Sequence, residues 1–223
     1  MTTFIIMQNR IATEIVRDDL AEQIKNAIND AIVTWEGVRF AFNERRYLIN
    51  TVADQEYYDL VEPTLLFHDG STLETNERVL EVDSIRITVN NSYYPLTPRT
   101  QQWFDRNSGP ASQYTGQPDS YGIYSTQLRL FPIPDGVYAL EIAGLARLGP
   151  HPLVNDVDTN NWTIGVAASA LIRAQAKLLI YRDIVRDPDG RATAAEAVSE
   201  AQWQLERKGT AQTMTGTQRA WDL

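Results

Sequence analysis

The first candidate for chemistry is a run of oxygen-bearing side chains at residues 156–160, where the order Asp-Val-Asp-Thr-Asn imitates the start of a calcium-binding loop. Such a loop has ligands at positions 1, 3 and 5, a glycine at position 6 and a bidentate glutamate at position 12. Position 6 is Asn161 here and position 12 is Ala167, so the pattern fails. We interpret the run as a polar turn that caps a helix after Trp162, and we expect no metal site.

Nucleophilic catalysis has no obvious residues in this chain. A Ser–His type of mechanism needs a histidine base, and the two histidines lie far apart in the sequence. His68 sits in a polar segment and His151 lies between two prolines, so both are expected to be surface or loop residues. There is no Gly-x-Ser-x-Gly elbow, no Walker loop and no Gly-x-Gly-x-x-Gly. The absence of cysteine excludes thiol catalysis, disulfides and Cys-type zinc sites, and we expect no cofactor.

The 223 residues have the composition of a globular protein. Hydrophobic residues make up 43% of the chain and charged residues 22%. No apolar run approaches the roughly 18 residues that cross a bilayer, and residues 4–7 are too short a run for a signal peptide. We expect a protein without membrane contact that stays in the cytoplasm or in a particle assembled there.

The charge is acidic overall and unevenly distributed. The net charge is −9, and residues 47–150 hold 13 acidic against 6 basic side chains. Tight binding to duplex DNA needs clustered Lys and Arg, so this balance argues against it. The 17 arginines against 3 lysines are typical of protein–protein interfaces, although codon usage or chance gives the same bias. The 29 acids leave a two-carboxylate hydrolase open, but no pair is singled out by its neighbours.

Helical periodicity occupies the start of the chain. Apolar residues recur at helical spacing over 4–15 and again over 20–35, with a break at Asp18-Asp19. Asp19 followed three residues later by Glu22 predicts a capping box for the second helix.

Helical periodicity returns towards the end of the chain. An alanine-rich stripe over 166–185 predicts a helix that packs closely against a neighbour. The Asp-Pro-Asp-Gly sequence at 187–190 should end it, and a last helix should stop near Gly209. We expect the residues after it to be mobile until a partner captures them.

The spacing between the two helical regions is that of strands. Runs at 47–52 and 56–60 predict a hairpin, and a change of apolar phase between Val82 and Ile85 predicts a bulge. Asn90-Asn91 predicts a tight turn between two strands.

Further strands at 121–124, 128–131 and 137–143 complete a set of six or seven with turn signals between them. The sequence therefore predicts an α+β fold: a helical bundle formed from both chain ends, with an inserted antiparallel β sandwich or barrel-like unit. The predicted domains are 1–46 with 151–209 for the bundle, 47–150 for the β domain, and 210–223 for a flexible C-terminal tail.

A series of short motifs, none of them catalytic, follows one another along the chain. They are Asp18-Asp19, Ala31-Ile32-x-x-Trp35, Arg39-Phe40-Ala41-Phe42-Asn43-Glu44, Asn50-Thr51, Gln55-x-Tyr57-Tyr58-Asp59-Leu60, Tyr93-Tyr94-Pro95-Leu96, Trp103, Gly116-Gln117-Pro118-x-x-Tyr121, Leu128-Arg129-Leu130-Phe131-Pro132-Ile133-Pro134-Asp135 and Asp158-Thr159-Asn160-x-Trp162. In this order the chain resembles the head–tail adaptor, or connector, proteins of tailed bacteriophages, particularly short-tailed ones. The segment 67–78 looks like an insertion relative to that pattern.

The resemblance implies a structural protein of the virion neck and not an enzyme. In that family the subunits form a ring, usually of twelve copies, beneath the portal. The resemblance therefore implies three protein partners: further copies of the chain, the portal protein, and a tail or nozzle protein. DNA would pass through without tight binding, and the acidic charge would keep the channel from adhering to it. Assembly would take place in the host cytoplasm.

The resemblance also suggests which residues meet partners. C-terminal segments reach the portal in that family, which makes Arg219, Trp221 and Leu223 the expected portal or partner contacts, since Arg and Trp are typical anchors. Packing between subunits is expected at Trp35, Arg39, Phe40, Trp162, Ala167, Ala170 and Ala174.

Two other classes of function stay open on the sequence. The first is a free-standing binding module whose β domain recognises a glycan or a protein. The second, the less favoured, is the two-carboxylate hydrolase.

Overall fold

The chain divides into a helical unit and a β unit. The helical unit draws on residues 1–43 and 150–223, and the β unit on 44–149. The order of helices, strands and helices confirms the predicted α+β class with a β region inserted between helical ends. The computed structural model describes residues 3–61, 65–67, 77–107, 114–158 and 168–215, the last seven by their backbone path.

The helices follow the predicted periodicities closely. They are α1 (Phe4–Ile15), α2 (Ala21–Glu36), α3 (Gln101–Asn107), α4 (Ser169–Ile180) and α5 (Pro188–Thr215), with a π-helical turn at Tyr181–Val185. All but α3 belong to the helical unit. None of the described helices combines the length and the apolar character needed to cross a membrane.

The helical unit buries one apolar stripe from each helix, as amphipathic helices do. The buried side chains include Phe4, Met7 and Ile11 of α1, Ile24 and Ile28 of α2, Leu171, Ile172 and Ile180 of α4, and Val198 and Leu205 of α5. The carboxylate of Glu14 on α1 bridges to α4, where it lies 3.3 Å from the Arg173 guanidinium and 2.8 Å from the Lys177 ammonium.

The buried face of α4 is broader than the predicted stripe. Ala174 of the stripe is buried and Ala170, which was expected at a contact between subunits, is exposed, whereas Leu171, Ile172 and Ala176 outside the stripe are also buried. The reason is that α4 packs against α1, α2 and α5, so three neighbours cover a broad face of it. A stripe read from alanine spacing assumes one neighbour.

Two helix ends differ from expectation. The break after α1 is confirmed, but Leu20 is the N-cap residue of α2 and the predicted capping box does not form. The Asp19 carboxylate is instead bound by Arg17 at 2.7 and 2.8 Å, which lowers the pKa of Asp19 to about 2. At the other end of the unit, α5 continues to Thr215 and does not stop at Gly209.

The β unit contains short strands in three open sheets. The strands are β1 (Glu44–Asn50), β2 (Tyr57–Asp59), β3 (Leu66–Phe67), β4 (Arg78–Val89), β5 (Ser92–Pro95), β6 (Thr97–Pro98), β7 (Thr115–Gly116), β8 (Ser120–Tyr124), β9 (Gln127–Phe131), β10 (Ile133–Pro134) and β11 (Ala139–Arg147). Their orders are β3-β1-β11-β4-β5, β2-β9-β8-β6 and β10-β7. The described strands form no closed barrel, and two of the pairings, β6 with β8 and β7 with β10, are parallel.

The predicted hairpin of residues 47–52 with 56–60 is wrong. The turn exists, with Asp54 at a φ of 63°, but β1 pairs with β11 and β3 while β2 pairs with β9. The Tyr58 hydroxyl lies 3.0 Å from the Val52 nitrogen, 3.1 Å from its carbonyl oxygen and 3.0 Å from the Gln55 carbonyl oxygen. The Tyr58 hydroxyl thus forms hydrogen bonds with the backbone of the turn. Strands β1 and β2 on either side of it belong to different sheets.

The predicted bulge in β4 is confirmed. Its register with β11 shifts where Ala143 pairs with Ser84 and Gly144 with Val82, which leaves Asp83 as the extra residue. A Cβ on Gly144 would lie 2.0 Å from the Glu81 carbonyl oxygen, so the bulge requires glycine there. The Asn90-Asn91 turn forms as predicted, and the strands predicted at 121–124 and 128–131 pair with each other as β8 and β9.

Candidate interaction surfaces

The described part of the run that imitated a calcium loop, residues 156–158, belongs to a turn held by the Asp158 carboxylate. Its carboxylate accepts hydrogen bonds from the backbone N–H groups of Val154 and Asn155, both at 2.7 Å, and from the Asn155 amide at 3.2 Å. Burial acts to raise the pKa of Asp158, but these hydrogen bonds outweigh it and the pKa is lowered. The carboxylate is therefore committed to holding the turn.

This turn also anchors the first helix. The backbone N–H groups of Phe4 and Ile5 donate to the carbonyl oxygens of Asp158 and Asp156, at 2.8 and 3.1 Å. The predicted cap after Trp162 lies outside the described residues. Within the described ranges, no three His, Asp or Glu side chains converge in a way that could hold a metal ion.

One of the two histidines, His151, lies within the described residues. His151 lies outside the helices and strands, as a loop residue does, but it is buried with 8% of its surface exposed, so it is not a surface residue. Leu153 is also buried, whereas Pro152 and Val154 between and beside them are exposed, so the segment runs along the surface and turns alternate side chains inward. His68 lies outside the described residues.

The one carboxylate of the central strand β11, that of Glu141, is bound by two arginines. Glu141 is 4% exposed and receives Arg86 at 2.7 Å on both oxygens and Arg46 at 3.2 Å. The strands that carry the two arginines flank β11, so the sheet order itself brings the three charges together. The Arg86 guanidinium also stacks on the Tyr93 ring, 4.3 Å from its centroid.

A second buried carboxylate serves the core of the β unit. The Tyr47 hydroxyl donates to the Glu77 carboxylate at 2.7 Å, and both side chains are almost fully buried. Burial raises the pKa of Tyr47, and the negative charge of Glu77 raises it further. Glu77 and Glu141 thus have structural partners and form no open pair of the kind that glycoside hydrolysis uses.

An open sheet edge carries the most exposed aromatic residues of the β unit. Strand β5 is the last strand of the five-stranded sheet, and its four residues are exposed. Tyr93 and Tyr94 expose 57% and 50% of their surfaces there. Unpaired backbone groups beside exposed aromatic rings are typical of a surface on which another protein docks.

The sequence missed an aromatic cluster around α3. Phe104 of α3 is fully buried, and the ring of Trp103 packs edge-on against Phe131 at 5.2 Å. The Arg129 guanidinium lies 4.8 Å from the centre of the Phe104 ring and pairs with Glu56. The signal that could have found this helix is the Trp103-Phe104 pair, which does not alternate as a strand would.

The residues expected between subunits have different exposures in the structure. Arg39 and Ala170 are exposed and Trp35 is partly buried. Phe40 and Ala174 are buried, with 4% and 5% of their surfaces exposed. Within the helical unit, the Trp35 ring lies 6.3 Å from the Phe40 ring. The remaining expected contacts lie outside the described residues: Trp162, Ala167, Arg219, Trp221 and Leu223.

Among the described residues, the carboxylates of Asp158, Glu77 and Glu141 are engaged in a turn and in buried contacts, while Tyr93 and Tyr94 lie at the surface. Exposed aromatic side chains are typical of surfaces on which proteins dock. The family model for the SU10 adaptor protein matches residues 2–221. The chain belongs to the SU10 adaptor protein family, and the resemblance to bacteriophage adaptors is thereby confirmed. No curated protein matches the chain at a significant level.

Proposed function

We propose that the chain is the repeating subunit of an adaptor ring in the virion neck, joining the portal to the tail and surrounding the path of the DNA. The observation that carries this proposal is the family match, which covers residues 2–221 and so both units. A subunit in this role performs no reaction. The engagement of Asp158, Glu77 and Glu141 in structural contacts supports that part of the proposal.

The helical unit is proposed to form the contacts between subunits. Arg39 and Ala170 present surface for such contacts, and Ala170 is small enough to let a neighbouring helix approach closely. Trp35 is partly exposed and would contribute its open surface, and its ring packs on the Phe40 ring with their centroids 6.3 Å apart. Ala174 is buried within the chain and would act only by shaping α4.

The β unit and the C-terminal residues are proposed to meet other proteins. Tyr93 and Tyr94 on the open β5 edge suit a protein of the tail, since aromatic rings beside unpaired strand groups favour docking. Residues 219–223 would contact the portal through Arg219 and Trp221. The excess of acids over bases in residues 47–150 would keep DNA from adhering during passage.

Assembly with portal tests this proposal directly. Purified chain, with and without portal, should form rings that are visible by electron microscopy and countable by mass photometry. Ala170→Arg should abolish the rings because a long charged side chain replaces a small one at the proposed contact. Ala195→Arg, at an exposed alanine of α5, is the matched control and should assemble normally. A wild-type chain that stays monomeric in both conditions refutes the ring.

The exposed tyrosines also favour one other function, a free-standing β module. That reading predicts a stable monomer that binds a glycan or an isolated protein through β5. Tyr93→Ala with Tyr94→Ala would then remove binding without any portal present. Loss of tail attachment, with ring formation intact, is the result that the adaptor proposal expects from the same variant.

A further inference from the structure

A pocket lined by three arginines lies where α4 ends and α5 begins. Its volume is about 160 Å³, and its lining is Tyr181, Arg182, Arg186, Asp187, Pro188 and Arg191. The pocket exists because the chain leaves α4 through the π-helical turn, a distortion that recurs at functional sites. Its residues belong to none of the motifs that resemble the phage adaptors.

The backbone between α4 and α5 has an unusual conformation that brings the pocket-lining residues together. Arg186 ends the π-helical turn with φ at 57° and ψ at 39°, a left-handed conformation that side chains other than glycine rarely adopt. Gly190 allows Asp187 and Tyr181 to pack closely against the start of α5. A Cβ at this position would lie 2.7 Å from both the Asp187 carboxylate and the Tyr181 ring. Arg191 follows on the first turn of α5, and its backbone N–H donates to the Asp187 carbonyl at 3.0 Å.

Two of the three arginines have no ion-pair partner among the described residues. Arg182 is held by Asp183 through two contacts of 2.6 and 2.7 Å. Arg186 and Arg191 make no ion pair with any residue that the structure describes. The one carboxylate in the lining, Asp187, accepts the Asp189 backbone N–H at 3.1 Å and so caps α5. Unpaired arginines around a pocket in a chain of net charge −9 indicate a site for an anion.

We infer that this pocket binds a carboxylate side chain of a second copy of the chain. A duplex of nucleic acid needs a row of cationic contacts, and the exposed α5 surface beyond the pocket carries Glu196, Glu200 and Glu206. A second copy, with 29 acidic residues, offers the complementary charge. The pocket suits one such group, and Arg binds carboxylates in a bidentate manner. This inference rests on the proposed ring, in which copies lie side by side.

The test reverses the charge of the two unpaired arginines. Arg186→Glu with Arg191→Glu should lower the fraction of chain in rings at least tenfold, and Arg186→Lys with Arg191→Lys should restore part of it. Arg10→Glu with Arg207→Glu changes the net charge equally on exposed arginines elsewhere in the helical unit, and it should assemble as the wild type does. Circular dichroism melting establishes that all the variants are folded.

Mixing gives a second readout that a folding defect would not produce. In a head-to-tail ring each subunit offers a pocket on one side and a carboxylate on the other. The reversed variant keeps its carboxylate, so a small proportion of it should terminate growing assemblies of wild-type chain. Mass photometry should then show incomplete arcs in place of rings.

The outcomes separate this inference from the proposed function. Rings that form from the reversed variant with wild-type yield and salt dependence overturn the pocket assignment and leave the ring standing. A wild-type chain that never assembles overturns both. Binding of a fluorescent DNA duplex that the reversed variant loses, with its rings intact, assigns the pocket to phosphate and also overturns the inference.

Discussion

The helical unit and the β unit place their charges in opposite ways. In the helical unit the described ion pairs lie near the surface, as the pairs of Glu14 with Arg173 and Lys177 do, and buried polar side chains such as Gln8 and Gln175 carry no charge. In the β unit the acids Glu77 and Glu141 are buried, with 2% and 4% of their surfaces exposed. The difference indicates that the helical unit depends mainly on packing, whereas the β unit also depends on a few polar contacts that must all be made.

Buried polar contacts of this kind are sensitive to single changes. Removing one partner leaves a desolvated group behind, which destabilises more than the contact itself stabilises. An apolar stripe loses stability in proportion to the volume removed. Comparing each substitution at a buried site with a control at an exposed or open site therefore measures how far each unit depends on packing or on polar contacts.

The largest effect is expected in the core of the helical unit. Ile28→Ala should lower the free energy of unfolding by about 4 kcal/mol, because Ile28 has no exposed surface and its removal leaves a cavity. Val33→Ala, on the exposed side of the same helix, should change it by less than about 0.5 kcal/mol. Urea denaturation followed by circular dichroism measures both. Equal losses would contradict the packing of α2 described here.

The next effect tests the bulge in the β unit. Gly144→Ala should cost about 3 kcal/mol, because the new Cβ would lie 2.0 Å from the Glu81 carbonyl oxygen and the two strands would have to separate. Gly136→Ala is the control, since a Cβ there meets nothing within 4 Å. Thermal unfolding of both variants decides the matter. A Gly144 variant as stable as the control would show that the register shift is not held by this contact.

A smaller effect concerns the buried hydroxyl of Tyr47. Tyr47→Phe should cost about 2 kcal/mol near neutral pH, since it removes a 2.7 Å hydrogen bond to the buried Glu77 carboxylate. Tyr94→Phe, at an exposed ring, should have no measurable effect. Denaturant titrations of the two variants against the wild type give the comparison.

The same tyrosine fixes the sign of a pH dependence. Burial raises the pKa of Tyr47 above its ordinary value of 10.0, so the folded chain keeps the proton where the unfolded chain loses it. The stability contribution is therefore complete below pH 10 and declines as the pH rises above 10. Tyr47→Phe should flatten that alkaline decline, and a decline of wild-type slope in the variant would rule out Tyr47 as its source.

The sequence predicts local features of this fold much better than distant ones. The break at Asp18-Asp19, the Asn90-Asn91 turn and the bulge between Val82 and Ile85 each follow from neighbouring residues. The pairing of β1 with β11 joins residues about 95 positions apart, as Arg46 and Glu141 are, and no local pattern specifies it. The hairpin predicted in its place fails for that reason.

The candidate sites show the same limit. The resemblance identifies the class of protein, but exposure decides which residues can meet a partner: of the residues expected between subunits, Ala170 is exposed whereas Ala174, one turn further along α4, is buried. The arginine pocket depends on a π-helical turn and a left-handed Arg186, which are properties of the backbone path. Asp-Pro-Asp-Gly predicts that a helix ends there without indicating that the ending brings Arg186 and Arg191 together.

The smallest effect is expected at another glycine, Gly37. Here substitution by alanine should raise the free energy of unfolding, whereas at Gly144 it should lower it. Gly37→Ala, just after α2, should raise the free energy of unfolding by about 0.5 kcal/mol. Gly37 has φ at −84° and ψ at −5°, which alanine adopts without strain, and a Cβ there meets nothing within 4 Å. The gain comes from the unfolded chain, which loses conformational freedom. Differential scanning calorimetry of Gly37→Ala beside Gly144→Ala measures the contrast, and a loss of stability at both positions would mean that the end of α2 is as tightly constrained as the bulge.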